Sequence, residues 1–202
     1  MRVEHLFPDP VYFSNLDRAL TKTELKTIAQ YKEKTSNNMG NMRTHDSYVL
    51  EHKTLKNLKK DLNQKIINYF NEVICCDNTI TPYITQSWIN YTKENEFHHK
   101  HAHPNSYISG IVYINADKGV DKINFFKSGQ STFRPAVTQF NIFNSTTATY
   151  PIQGGDVLLF PSSLEHGVDI KKGTNIRTSL SFNVFFKGSF GSKKDLTELI
   201  IE

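Results

Sequence analysis

At about Thr81 the chain changes its hydrophobic period, and that change constrains the fold more than any other feature of its 202 residues. Before it, apolar residues recur every three or four positions, the spacing of one helix face. Thr21-x-x-Glu24 has the form of a capping box, and Leu25, Ile28 and Tyr31 follow at helical spacing. Leu55, Leu58, Leu62, Ile66, Phe70 and Val73 form a longer stripe with the lysines mostly off it. Between the two, the polar stretch Thr35 to Asp46, with Gly40 and several Asn, reads as a loop.

After Thr81, short runs rich in Ile, Val, Phe, Tyr and Thr alternate with turn signals. The expected strands are 83–91, 107–115, 122–126, 147–152, 156–160 and 176–186. Gly154-Gly155-Asp156 and Gly173-Thr174-Asn175 supply turns, and 196–201 suits either a short helix or an extra strand. Two helices followed by a run of strands predict an α+β chain, with helices packed on one face of a curved sheet or barrel. Its length suits one domain over 1–202: a mainly helical flank at 1–80 and a β core at 81–188.

Composition narrows the function classes. A net charge of +4 comes with paired lysines (Lys59-Lys60, Lys171-Lys172) but no block of five like charges, so no nucleic-acid surface is expected. No uninterrupted apolar run approaches the roughly 20 residues of a membrane span. The opening MRVEHLFPDP lacks the apolar stretch of a signal peptide. The only cysteines, Cys75 and Cys76, are adjacent and ill placed to bond each other. These features predict a protein of a reducing, cytoplasmic setting.

The histidines carry the chemistry. Four of eight lie in His98-His99-Lys100-His101-Ala102-His103, between two expected strands. Alternate residues of an extended chain point the same way, so His101 and His103 can present both imidazoles to one point. Neutral imidazole is a good ligand for iron, zinc, copper or nickel. His166 is the candidate third ligand, at the end of the short loop after the apolar run Val157 to Pro161. Arg177 then opens the last long strand, with Ser179 and Ser181 on its face. A guanidinium buried there calls for an anion, and its planar fork matches a carboxylate.

Three blocks in order resemble one family. They are His101-x-His103-Pro104-x-Ser106-x-x-Ser109-Gly110, Gly155-Asp156-x-x-x-Phe160-Pro161-Ser162 to His166, and Arg177-x-Ser179-x-Ser181-Phe182-Asn183. Together they resemble the bacterial and phage group of 2-oxoglutarate-Fe(II) oxygenases, within the prolyl-hydroxylase-like superfamily, over about 81–188. The resemblance implies a double-stranded β-helix (jelly-roll) fold and an oxidoreductase that decarboxylates 2-oxoglutarate to succinate while hydroxylating a small-molecule or peptide substrate. The implied cofactors are Fe(II) and 2-oxoglutarate, with ascorbate as a supporting reductant. His101, His103 and His166 would be the metal ligands. Arg177 would bind the distal carboxylate of 2-oxoglutarate, assisted by Ser179, with Tyr91 as a further contact. No catalytic side chain beyond the metal centre is implied. The wider superfamily has a carboxylate where this chain has His103, which leaves the metal more positive.

Other readings stay open at this level. His99-x-His101 is an alternative ligand pair. Glu165 is an alternative anion for Arg177. A three-His cupin-type iron dioxygenase without 2-oxoglutarate, or a non-catalytic metal-binding barrel, would use the same imidazoles. Trp88 and Arg134 are candidate substrate contacts. Phe125, Phe126, Phe133, Phe140 and Phe143 suit core or lid packing, and the long polar segment 128–146 suits a lid over the substrate.

Overall fold

The computed structural model describes residues 2–76, 79–129, 133 and 135–202. In chain order the elements are β1 (Tyr12–Asn15), α1 (Lys22–Tyr31), β2 (Thr35–Asn38), β3 (Asn41–Thr44), α2 (Lys56–Tyr69), β4 (Ile80–Thr92), β5 (His98–His101), β6 (Ile108–Asn115), β7 (Lys122–Phe126), β8 (Thr147–Pro151), β9 (Asp156–Pro161), β10 (His166–Val168), β11 (Arg177–Phe190) and β12 (Leu199–Ile201).

Both helices begin where their sequences predict. The Thr21 hydroxyl accepts from the Glu24 amide while the Glu24 carboxylate accepts from the Thr21 amide, a closed capping box. Arg18 grips the same carboxylate with two nitrogens, at 2.8 and 2.9 Å. That pairing draws Glu24 into the interior, so the buried face of α1 is Glu24, Thr27 and Ile28, and Leu25 stays 45% exposed. On α2 Leu58, Leu62 and Ile66 of the expected stripe are buried, with Leu55 just before the helix and Phe70 just after it; Tyr69, outside that stripe, is buried as well, and Val73 is only partly covered.

The flank is not helical alone. The stretch 35–46, expected to be a loop, contains the hairpin β2–β3, which turns at Gly40 with φ +93°. No apolar alternation marked it, because it is an edge hairpin of Asn, Thr, Met and Arg whose backbone pairing supplies the order. At the other end, 196–201 resolves as a strand, β12, paired to β11.

Two sheets result. The larger has the order β1-β9-β6-β11-β4-β3-β2, with β12 also on β11; the smaller has the order β5-β10-β7-β8. Period-two alternation on the large sheet divides the interior. One face sends Ile89, Tyr91, Val112, Leu159, Leu180, Phe182 and Val184 into the core shared with both helices. The other sends Ile111, Tyr113, Leu158 and Phe160 against Ile123 and Phe125 of β7. The site lies on this second face, between the sheets. Among the described residues, no helix is long and apolar enough to cross a membrane.

Candidate metal centre

Strand pairing brings the first two imidazoles together. His166 on β10 stands directly opposite His101 on β5, with ring centroids 4.4 Å apart. His103 follows β5 and is tied back by its amide, which donates to the Ser162 carbonyl at 2.9 Å. Its ring lies 5.0 Å from His101 and 5.1 Å from His166. One ligating nitrogen from each of the three lies within 4.8 Å of the others.

Hydrogen bonds select the free nitrogen. His101 Nδ1 donates to the His99 carbonyl at 2.8 Å, and His166 Nδ1 donates to the Leu164 carbonyl at 3.1 Å. His103 Nδ1 donates to Asn183 Oδ1 at 2.6 Å. Each Nδ1 therefore carries the proton, and each Nε2 keeps its lone pair. Burial pulls His166 down to about 3 and His101 to about 4, and lowers His103 as well. The rings are thus neutral at physiological pH, the form that ligates.

The motif serines are a brace for this arrangement. Ser162 Oγ donates to Ser106 Oγ at 2.8 Å and bonds Ser109 Oγ at 2.9 Å, and Ser106 Oγ donates to the Ile108 carbonyl. They pin the turn after His103 to the end of β9. Gly110 is small for a packing reason: a Cβ there would stand 2.1 Å from the Phe182 ring.

The pocket beside the imidazoles is lined by Trp88, Asn90, Tyr113, Arg177, Ser179 and Ser181, among others. Arg177 is 2% exposed. Its guanidinium donates to Thr92 Oγ1 at 3.1 Å and only loosely, at 3.5 Å, to the Lys122 carbonyl, while its buried Nε has no partner. Among the described residues it forms no ion pair. Asp121, the acid whose charge acts on it, is engaged by Lys171 and Asn175. Glu165, the pairing considered from sequence, instead binds Lys100 at 2.6 Å near the surface. A buried cation short of partners, facing a pocket, is a receptor for an anion.

Residues 86–183, nearly half the chain, match the family model described as "Putative 2OG-Fe(II) oxygenase". These residues are similar to that family over this stretch. Solved structures share the fold of this chain. A prolyl hydroxylase from Trichoplax adhaerens, in complex with a hypoxia inducible factor peptide fragment, aligns with TM-score 0.60 at 13% identity, covering 87% of this chain and 83% of that one. HygX from Streptomyces hygroscopicus, with nickel, 2-oxoglutarate and hygromycin B bound, aligns with TM-score 0.58 at 12% identity, covering 86% and 82%. The epimerase SnoN from nogalamycin biosynthesis aligns with TM-score 0.57 at 11% identity, covering 91% and 82%. No curated protein matches the chain in sequence.

Within this fold the candidates separate. His101, His103, His166, Arg177 and Ser179 converge on the one pocket. Tyr91 does not: it sits on the opposite face of β4, buried among the helices, and its hydroxyl donates to the Ile28 carbonyl. Strand parity decides this, since Trp88 and Asn90 on the same strand face the pocket. The tyrosine that does line the pocket is Tyr113, whose hydroxyl burial pushes upward in pKa. Only its parity on β6 could have signalled it. Trp88 stands at the pocket, 5.6 Å from the His103 ring. Arg134 lies outside the described residues. Phe125 is core, but Phe133, Phe140 and Phe143 are exposed, so that part of the aromatic run is not core packing.

Proposed function

We propose that the chain is an Fe(II)- and 2-oxoglutarate-dependent oxygenase folded as a double-stranded β-helix, a single domain over 1–202. In this reading His101, His103 and His166 hold the metal through Nε2, and Arg177, with Ser179, takes the distal carboxylate of 2-oxoglutarate. The observation that carries it is Arg177: a buried, under-partnered guanidinium in the same pocket as three tautomer-fixed imidazoles. A carboxylate would satisfy the orphan Nε and neutralise the buried charge.

The donor set fits a divalent first-row metal, since three neutral nitrogens fill one face and leave positions open. When bound, iron and 2-oxoglutarate would let dioxygen act as the oxidant, one oxygen atom going to succinate as 2-oxoglutarate loses carbon dioxide and the other to the substrate. The chain's own residues do the rest. The Asn183, His99 and Leu164 oxygens hold the ring protons on Nδ1. Arg177 orients the co-substrate, and Ile111, Ile123 and Phe160 keep water from the pocket. Trp88 and the adjoining open cleft, lined by Asn38, Arg43, Tyr48 and Asn105, receive a small-molecule or peptide substrate. The adjacent Cys75 and Cys76, ill placed to bond each other, fit a reducing, cytoplasmic setting.

The test is succinate formation from 2-oxoglutarate with Fe(II) and ascorbate. Turnover that is lost in His166→Ala and in Arg177→Ala supports the reading. Absence of succinate formation, with whatever oxygenase activity is found left intact by Arg177→Ala, would instead favour a three-His dioxygenase that needs no 2-oxoglutarate.

A further inference from the structure

The proposed centre uses only two of the four clustered histidines, which leaves His98 and His99. In a regular strand these neighbours would point to opposite faces. Here they do not, because β5 is bulged. His166 lies opposite His101 and Val168 opposite His98, so three steps along β5 face two along β10. An extra residue of this kind re-aims side chains. Gly167 admits it: a Cβ at that position would stand 3.0 Å from the His98 carbonyl oxygen and 3.2 Å from that of His99. In consequence the rings of His98 and His99 both approach His101, each with centroids 4.7 Å from it. One ligating nitrogen from each of His98, His99 and His101 lies within 4.8 Å of the others.

We propose that His98, His99 and His101 form a second, outer position for a divalent metal, one that takes zinc, copper or nickel and competes with the inner triad for His101. The competition follows from the tautomer. His101 Nδ1 donates to the His99 carbonyl, so Nε2 holds the single lone pair and serves one ion at a time. The outer three all line the open cleft, with His103 beside them, so an ion arriving from solvent has direct access to them. Lys100, between them in sequence, is drawn away to Glu165 and brings no charge against the ion. An all-imidazole set without a carboxylate ranks divalent ions by intrinsic affinity, which rises from iron to nickel and copper and remains high for zinc. A late metal outside therefore withdraws His101 from the centre inside.

Zinc binding to the metal-free protein tests this by calorimetry. The double variant His103→Ala/His166→Ala, which keeps one inner ligand, should still bind one zinc, with three imidazoles in its X-ray absorption spectrum. Adding His98→Gln and His99→Gln should weaken that binding by at least about 100-fold. If the fourfold variant does not fold, His99→Gln alone in the double-variant background should weaken it about tenfold. The unaltered chain should take one tight zinc, since His101 is shared. The proposal is overturned if the double variant binds no zinc, if loss of His99 leaves its affinity unchanged, or if the unaltered chain takes two tight equivalents. The double variant has no inner centre, so these results do not depend on whether the protein turns over 2-oxoglutarate.

Discussion

Asn183 and His103 are eighty residues apart in sequence, yet the amide oxygen of one accepts the Nδ1 proton of the other at 2.6 Å. Asn183 sits on β11 two positions beyond Ser181, where strand parity turns it toward the imidazoles. Its role is to hold His103 in the tautomer that leaves Nε2 free.

That role predicts the behaviour of its variants. Asn183→Leu removes the acceptor, and Fe(II) or Co(II) affinity should fall by about 10- to 100-fold. Asn183→Asp restores an acceptor and should recover most of it. Calorimetric titration of the metal-free protein checks both, and equal affinity for the Leu and Asn forms would remove Asn183 from the account.

Arg177 should show stability and function in opposition. A buried guanidinium with an orphan Nε costs more than a thioether chain of similar volume. Thr92 Oγ1 keeps its hydrogen bond from Asn41, and Asp121 keeps Lys171 and Asn175, so removing the cation strands little. Arg177→Met should therefore raise the melting temperature of the protein free of 2-oxoglutarate, by about 1 kcal/mol in stability. The same change should weaken 2-oxoglutarate binding roughly 100-fold, about 3 kcal/mol. Thermal unfolding with and without 2-oxoglutarate measures both signs in one experiment.

Gly110→Ala should be costly for a reason that has nothing to do with chemistry. The added carbon would lie 2.1 Å from Phe182 Cε2 and Cζ, and Phe182 is fully buried. Overpacking of this kind costs about 1–3 kcal/mol, read as a lower urea midpoint. Phe182→Leu in the same chain should return part of the loss, because it withdraws the ring atoms that clash.

Acid should destabilise the metal-free protein. His101 and His166 bind protons in the folded state only near pH 4 and 3, against 6.5 when unfolded. Below pH 6.5 the unfolded chain therefore binds more protons, and stability falls as pH falls from 6.5 toward those values. Above 6.5 these groups contribute no slope. Glu24, held at about 2 chiefly by Arg18, adds to the loss below its ordinary 4.5. Melting temperatures at pH 7, 6, 5 and 4 should decline through this range, and a flat profile would contradict the burial of the imidazoles.

The helices, the main strands and the clustered histidines that converge on the pocket were legible from local pattern. A capping box, a three-to-four stripe and alternating short runs are written in neighbouring residues, so Thr21, Leu58 and Leu180 each declare their element without help. The blocks around His101, His166 and Arg177 were legible as well, because each is contiguous. Other features depended on partners distant in sequence. The β2–β3 hairpin is polar, and backbone pairing orders it. Leu25 is exposed because Arg18 draws Glu24 inward. Tyr91 has the spacing of a site residue, but its parity on β4 sends it to the helices, whereas Tyr113 reaches the pocket. Asn183, Thr92 and Gly167 meet their partners only after β4, β5, β10 and β11 are aligned. Local sequence carries secondary structure because its periodicity lies within a few residues. Which nitrogen is free, which cation lacks a partner and which face a side chain takes are properties of register, and register exists only between strands.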